Sequence, residues 1–439
     1  MNICSSSFSE IPTPSSSTFN NTWNGLYSTL KSARIIINQC SEGGIDHGNY
    51  VTKGMAEVLA AYNCALIADM FGDAPCSQAA LIDENGSPVY LTPKMDKQEE
   101  IYTQAMQYLD DAIADLQKED LIDPEAQDLL YQGDAEKWLK LAYGLKARYT
   151  MHLLKRSANK DADMEKVLEY VNNSFESAEE QAAFDVYDAN NINPLYGFFV
   201  ARAGLGASES MRSKLAEYND PRLSRAFITK QGTSGKEQAP GTADNAVYAP
   251  NGTPEQGTSK YGTSLFMYSI SAPTLLLSYH ELKFLEAEAL CRLERDAKSA
   301  LKDAVVAGLL NAENSFTISR KELGKTLINA ASSITEAEAE SYFDNTIEAK
   351  YTAEPLKTTM TQKYFALWGA SGEATESYND VRRMKGLGEN FIELKNPNSF
   401  PLRCPYGNSD TTTNAEVKAA YGNGQYVYSE NVWWAGGSK

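Results

Sequence analysis

The sequence predicts a mainly α-helical chain, built from irregular tetratricopeptide-like helix pairs with long loops and little β-structure. Three observations carry this. Apolar residues recur at the 3.6-residue period in one segment after another. Alanine is frequent where such helices would cross, and small residues there let helices approach closely. The stretch 229–264 holds six Gly and three Pro, with Val247 its only aliphatic residue beyond Ala, so it reads as a loop insertion.

The elements follow in order. Residues 1–22 begin Ser/Thr/Pro-rich and are expected to be flexible, leaving 23–439 as a single helical domain. Residues 51–70 carry Val51, Met55, Val58, Leu59, Tyr62 and Leu66 on one helical stripe. The helix then meets "DMFGDAP", where Gly72 supplies a left-handed end and Pro75 forbids continuation. Asp96 followed by Glu99 is a capping-box pattern for the next helix, with Ile101, Ala105, Tyr108, Leu109, Ala112, Ile113 and Leu116 on one face. Asp134 caps a third, whose stripe is Trp138, Leu141, Ala142, Leu145, Tyr149 and Leu153. "KWLKLAYGL" fits the start of a tetratricopeptide repeat, but no 34-residue period persists. In the second half Leu275, Tyr279, Leu282, Leu285, Ala289 and Leu293 form a stripe. Weaker helices are expected near 296–310, 319–330, 335–350, 357–368 and 373–384, and the tail after "FPLRCPY" reads as non-helical.

Charge and motif content exclude several functions. The chain has 40 basic and 58 acidic residues, a net of −18, so it repels phosphate backbones and anionic lipid. Six cysteines show no C-x-x-C pair, and three histidines form no H-E-x-x-H, which speaks against a zinc enzyme. A bridge from Cys64 to either Cys40 or Cys76 stands beside the alternative of small buried thiols. No phosphate loop, nucleophile elbow or dinucleotide fingerprint is present, and no cofactor is implied. Asp69 and Asp73 lack further oxygen donors nearby for a metal, and "DENG" at 83–86 reads as a turn. Glu281 and Glu288, two helical turns apart, have the spacing for an acid–base pair in an all-α polysaccharide-degrading enzyme. An intracellular helical-repeat adaptor is a further alternative. "NNINPLYGFF" at 190–199 sets Asn193 and Tyr196 outside any helical period. Asn193 reads either as a sugar-hydroxyl partner or as a turn former before Pro194. Tyr248 and Tyr261 are the aromatics of the long loop, and Trp368 lies at a helix end, where core packing is the expectation.

The order of "IADMFGDAP", "DKQEEIYTQAMQYLDDAIADL", "LLYQGDAEKWLKLAYGLKARYTMHL", "YNDPRL", "LLLSYHELKFLEAEAL", "YNDVRRMKG" and "FPLRCPY" resembles the SusD/RagB-like nutrient-binding lipoproteins of Bacteroidetes. The resemblance runs from Trp23 to Trp434. It implies capture of an oligosaccharide, or in some members a peptide, without catalysis. It also implies an N-terminal lipid anchor on the outer leaflet of the outer membrane and delivery to a TonB-dependent SusC-like transporter. Cys4 follows no lipobox, so the chain is expected to begin inside the mature protein. Under this resemblance Phe71 and Asp73 border a ligand face, joined by Asn193, Tyr196, Tyr248 and Tyr261.

Overall fold

The computed structural model describes residues 17–202, 205–231, 237–241, 246–252, 260–396, 399–421 and 426–439. They fall into two compact units, each assembled from separate stretches of sequence. One is drawn from 17–175, 379–389 and 399–439, the other from 176–378 and 390–396.

The first unit holds α1 (Ser17–Cys40), α2 (Tyr50–Phe71), α3 (Gln98–Asp115), α4 (Ala135–His152) and α5 (Lys160–Asn172). Each packs on the next in sequence, as helix pairs do. Residues 1–16 of the segment expected to be flexible lie outside the described residues, and α1 begins at Ser17. Among the described residues α2 alone is long and apolar enough to cross a membrane by composition, yet 72% of that window is buried. Ala60, Ala61, Cys64, Ala65, Ile67 and Ala68 have no exposure, so α2 is the central core helix with neighbours on every side. No side chain of Asn49 caps it. The Asp120 carboxylate does so from a distant loop, accepting from Val51 N at 2.6 Å and Thr52 N at 3.2 Å.

α2 ends at Gly72 as expected, but as its C-cap and with a positive φ paired to an extended ψ instead of the left-handed helical conformation. Gly72 has φ +78° and ψ −130°, and its N–H donates to Ala68 O at 2.8 Å. A Cβ there would lie 2.7 Å from Arg403 Nη2 and 3.0 Å from Lys439 O. Gly72→Ala is therefore expected to cost about 1–3 kcal/mol through backbone strain and overpacking. Urea unfolding measures this, and an unchanged midpoint would remove the argument.

The start of α3 differs from expectation. Lys97, not Asp96, is the N-cap residue, and its N–H donates to Glu100 Oε2 at 2.9 Å. Asp73 completes the cap by accepting from Gln98 N at 2.9 Å. Asp96 is held in an antiparallel bridge with Ala74, and its carboxylate binds Cys76 N and Ser77 N instead. Asp134 does cap α4, accepting from Glu136 N and Lys137 N. At 83–86, Asp83 Oδ1 accepts from Asn85 N and Ser87 N, which makes the turn.

The second unit holds α6 (Pro194–Arg202), α7 (Glu209–Glu217), α8 (Tyr279–Arg292), α9 (Lys298–Leu323), α10 (Glu336–Tyr342), α11 (Glu348–Ala353), α12 (Pro355–Ala366) and the first residues of α13 (Ala374–Leu387). Strands β1 (Ala182–Phe184) and β5 (Thr274–Leu277) pair antiparallel. β2 (Phe227–Gln231) lies between β3 (Glu237–Pro240) and β4 (Thr263–Ser264) in a second antiparallel sheet. Leu275, read as the start of a helical stripe, is on β5, whose alternating burial places Leu275 and Leu277 inward. The helix expected at 296–310 and the first part of that expected at 319–330 are one element, α9, which ends at Leu323; a single 3-10 turn, Gly324–Thr326, follows. The buried Leu301, Val305, Leu309, Ala312 and Phe316 of α9 continue a single stripe through the supposed gap. The expected helix at 335–350 contains a π turn, Phe343–Ile347, between α10 and α11. Parts of 229–264 form β2, β3 and β4, while 232–236, 242–245 and 253–259 lie outside the described residues. The core gathers Phe227, Leu265, Phe266, Phe284, Phe316 and Phe365.

The tail returns to the first unit and, contrary to expectation, carries short helices: α14 (Asn408–Thr413), α15 (Ala415–Tyr421) and α16 (Tyr426–Ser429). They span 4 to 7 residues each, too short to display a helical period.

Candidate functional site

The site is built around α6 in the second unit. The helix starts at Asn193, whose Oδ1 accepts from Leu195 N at 2.8 Å and Tyr196 N at 3.3 Å. Its Nδ2 donates to Ala272 O at 2.8 Å and to Ser371 Oγ at 3.3 Å. Asn193 thereby fastens α6 to the 368–374 segment and is itself 1% exposed. Between α6, the 205–208 segment, the turn Leu265–Tyr268 and residues 368–374 lies a cleft of about 340 Å³.

Rings shape this cleft. Trp368 follows α12 and lies stacked on Phe227, centroids 5.3 Å apart and planes at 30°. Phe266 meets it edge-on at 5.1 Å. With two sides fixed, the half-buried indole is held rigid at the cleft wall. Gly369 makes this packing possible. It has φ +83°, and a Cβ there would sit 2.5 Å from the Phe266 ring. Phe198 of α6 also lines the cleft, with the Arg202 guanidinium 5.5 Å from its ring centroid. Ser208, Ser264 and Ser371 line it too, their hydroxyls bonded to Asn251 Oδ1, Phe266 N and Asn193 Nδ2 respectively. Among the described lining residues no side chain is ionisable. A ligand with apolar ring faces and hydroxyl edges fits such a lining; a fixed charge has no partner in it.

A larger cleft of about 860 Å³ in the same unit is lined by Tyr218, Phe365 and Phe391 together with charged side chains such as Lys214, Lys357 and Glu217. Volume favours it, and it has rings of its own; what sets the smaller cleft apart is an indole fixed in its wall and, among its described lining residues, no ionisable side chain.

The sequence-derived site residues are not brought together. Phe71 is wholly buried and packs edge-on against Trp23 at 4.8 Å, so it is a core ring of the first unit. Asp73, 6% exposed, caps α3 and binds Lys97 Nζ at 2.8 Å. Both therefore act within the scaffold. Tyr248 is 7% exposed beneath Arg212, whose guanidinium lies 5.0 Å from its centroid. Tyr261 is 8% exposed, with Lys260 Nζ 5.2 Å over its ring. The loop that looked core-poor thus contributes to the core through Tyr248. Tyr196 is half-buried and donates to Glu322 Oε1 at 3.2 Å; burial and then this carboxylate push its phenol upward. Of the six, Asn193 and Tyr196 lie on the element that borders the cleft. Trp368, Phe266 and Phe198 were not selected as ligand contacts. The signal was Trp368 followed by two glycines in "WGASG", an aromatic set on a turn that requires them.

Glu281 and Glu288 do not form an acid–base pair. Both have no exposure, so no substrate reaches them. Glu288 accepts from Arg292 Nε at 2.8 Å, and Glu281 faces Lys363 Nζ at 3.8 Å. They are buried, compensated charges of α8.

Comparisons with known proteins decide the family. The family profile described as SusD-like, starch-binding associating with outer membrane, matches residues 13–406. The chain belongs to the SusD-like family. A crystal structure of a SusD/RagB family protein from Bacteroides thetaiotaomicron VPI-5482 is 66% identical, with TM-score 0.94 over 99% of this chain and 90% of that one. A chitin-binding protein shares the SusD-like fold at 21% identity and TM-score 0.71, covering 95% of this chain and 87% of its own. A SusD homologue from Bacteroides fragilis NCTC 9343 does so at 20% identity and TM-score 0.71, over 94% and 89%. No curated protein matches the chain.

Proposed function

We propose that this SusD-like protein captures a neutral oligosaccharide without catalysis, in the cleft walled by Trp368, Phe266 and Phe198. It is held by a lipid anchor on the outer face of the outer membrane and passes its ligand to a TonB-dependent SusC-like transporter. The observation that carries the binding role is a rigid indole presented beside hydroxyls with no ionisable side chain among the described lining residues. A pyranose offers C–H faces to such a ring, while a uronate or sulfate would lose hydration without a counter-charge among the described lining residues. The family's description as starch-binding and outer-membrane-associated supports the same reading.

Titration calorimetry with neutral oligosaccharides, acidic oligosaccharides and peptides tests it. A neutral glycan is expected to bind with Kd of ~10⁻³ to 10⁻⁶ M. Trp368→Ala is expected to weaken it at least ~10-fold, about 1.4 kcal/mol, with the far-UV spectrum retained. Trp368→Phe should retain part of the affinity. A folded protein that binds no glycan overturns the binding role. Equal affinity in Trp368→Ala moves the site elsewhere.

A further inference from the structure

Two thiols meet in the middle of the first unit. Cys64 sits in α2 and Cys76 follows the turn that ends it, both without exposure, and their sulfurs are 3.3 Å apart. A disulfide needs about 2.04 Å between sulfurs, so a closure of roughly 1.3 Å by side-chain rotation suffices. The backbone of Cys76 is fixed for this. Its N–H donates to Asp96 Oδ2 at 2.8 Å and its carbonyl accepts from Arg34 Nη1 at 2.8 Å. On the preceding residue, the carbonyl of Pro75 accepts from Tyr27 OH at 2.6 Å. Cys64 is held equally firmly inside a long buried helix.

Arg34 is the second, independent observation. It is 6% exposed, donates from Nε to Tyr108 OH at 3.2 Å, and its Nη2 has no hydrogen-bond partner among the described residues. A buried guanidinium cannot discharge by losing its proton, so it favours an anion beside it. Its charge acts on both sulfurs electrostatically, without a direct hydrogen bond to either. The hydrogen bond shared with Cys76, helped against burial by the Arg34 charge, lowers the Cys64 thiol, while the same bond and burial raise Cys76, whose Sγ also donates to Gln104 Oε1 at 3.2 Å. In the folded unit the two thiols are therefore unequal.

We infer that Cys64 and Cys76 are an oxidation site that closes into an intramolecular disulfide, tying the turn at Gly72–Pro75 to the body of α2. The oxidant is a low-molecular-weight disulfide. The Cys64 thiolate attacks one of its sulfurs, breaking the external S–S bond and releasing one thiolate. Cys76 then loses its proton and attacks Cys64 Sγ, forming the Cys64–Cys76 bond and releasing the second thiolate. Two protein thiols are oxidised by two electrons, the external disulfide is reduced to two thiols, and the two protons leave with them. Because both sulfurs are shielded in the folded unit, exchange takes place as the chain folds, and the finished bond is protected from later reduction.

The full chain is refolded with oxidised glutathione, then denatured and alkylated without reductant. The expected result is four alkylated cysteines of the six, rising to six after reduction. Cleavage after Phe71 should give two peptides that hold together until reductant is added. Cys76→Ser is expected to retain glutathione on Cys64. If that variant does not fold, the wild-type map decides alone. Alkylation of both Cys64 and Cys76 in the oxidant-treated, folded chain, or a bridge from Cys64 to Cys40, overturns the assignment.

Discussion

Asp220→Ala will lower the unfolding free energy by about 3–5 kcal/mol, one of the two largest losses expected from a single substitution in this protein. Asp220 and Arg222, from the "YNDPRL" motif, chelate each other across one residue. Oδ1 accepts from Arg222 Nε at 2.8 Å and Oδ2 from Nη2 at 2.6 Å, while Arg222 N also donates to Oδ1 at 2.9 Å. The remaining arm, Nη1, donates to Phe365 O at 2.7 Å. Both side chains are almost fully enclosed, 2% and 0% exposed. Removing the carboxylate leaves a permanent cation in the core with no counter-charge. The double variant Asp220→Ala/Arg222→Met should recover most of the loss, because both charges then leave together. Urea unfolding of the three proteins is the measurement. If the double variant is no more stable than the single, the orphaned charge is not the cause.

Asp69→Ala should cost as much, about 3–5 kcal/mol, by a different route. Asp69 is 1% exposed and gathers donors from three places in the chain. Tyr102 OH donates to Oδ1, as does Trp434 Nε1 at 2.9 Å, and Asn379 Nδ2 donates to Oδ2 at 3.3 Å. Truncation leaves buried donors without their acceptor and opens a cavity among packed rings. Asp69→Asn keeps the volume but presents two N–H groups where donors already converge, so it should be destabilised by an intermediate amount. Unfolding curves give the energies, and a red shift of tryptophan emission in the folded variant would report Trp434. A loss below ~1 kcal/mol would show that these donors find other partners.

What could be read from sequence was local. Asp134 caps α4 because its acceptor and the amides it serves are two and three residues apart. Gly72 ends α2 because a backbone conformation is written in one residue type. Asp96 failed as a cap because its true partners, Cys76 N and Ser77 N, lie a whole loop upstream, and Asp73 took the vacant role. Asn193 was legible as a turn former and as a hydrogen-bonding amide, but both donors and acceptors are spent on α6 and the 272 and 371 segments. α6 escaped the periodicity because it has nine residues, of which Phe199 alone is buried. Trp368 looked like packing and is packing. That its free edge lines a cleft depends on Phe227 and Phe266, which reach it only through the fold.

The bond from Trp434 to Asp69 joins residues 365 positions apart. The carboxylate near the end of α2 thus receives one of its hydrogen bonds from the last indole of the chain to emerge. Until then the early hairpins supply Tyr102 but leave that carboxylate short of a donor, and their assembly stays incomplete through most of translation. Long-range closure of this kind slows folding and prolongs the exposure of apolar surface. The N-terminal scaffold is, in this sense, a structure that its own C-terminus must finish.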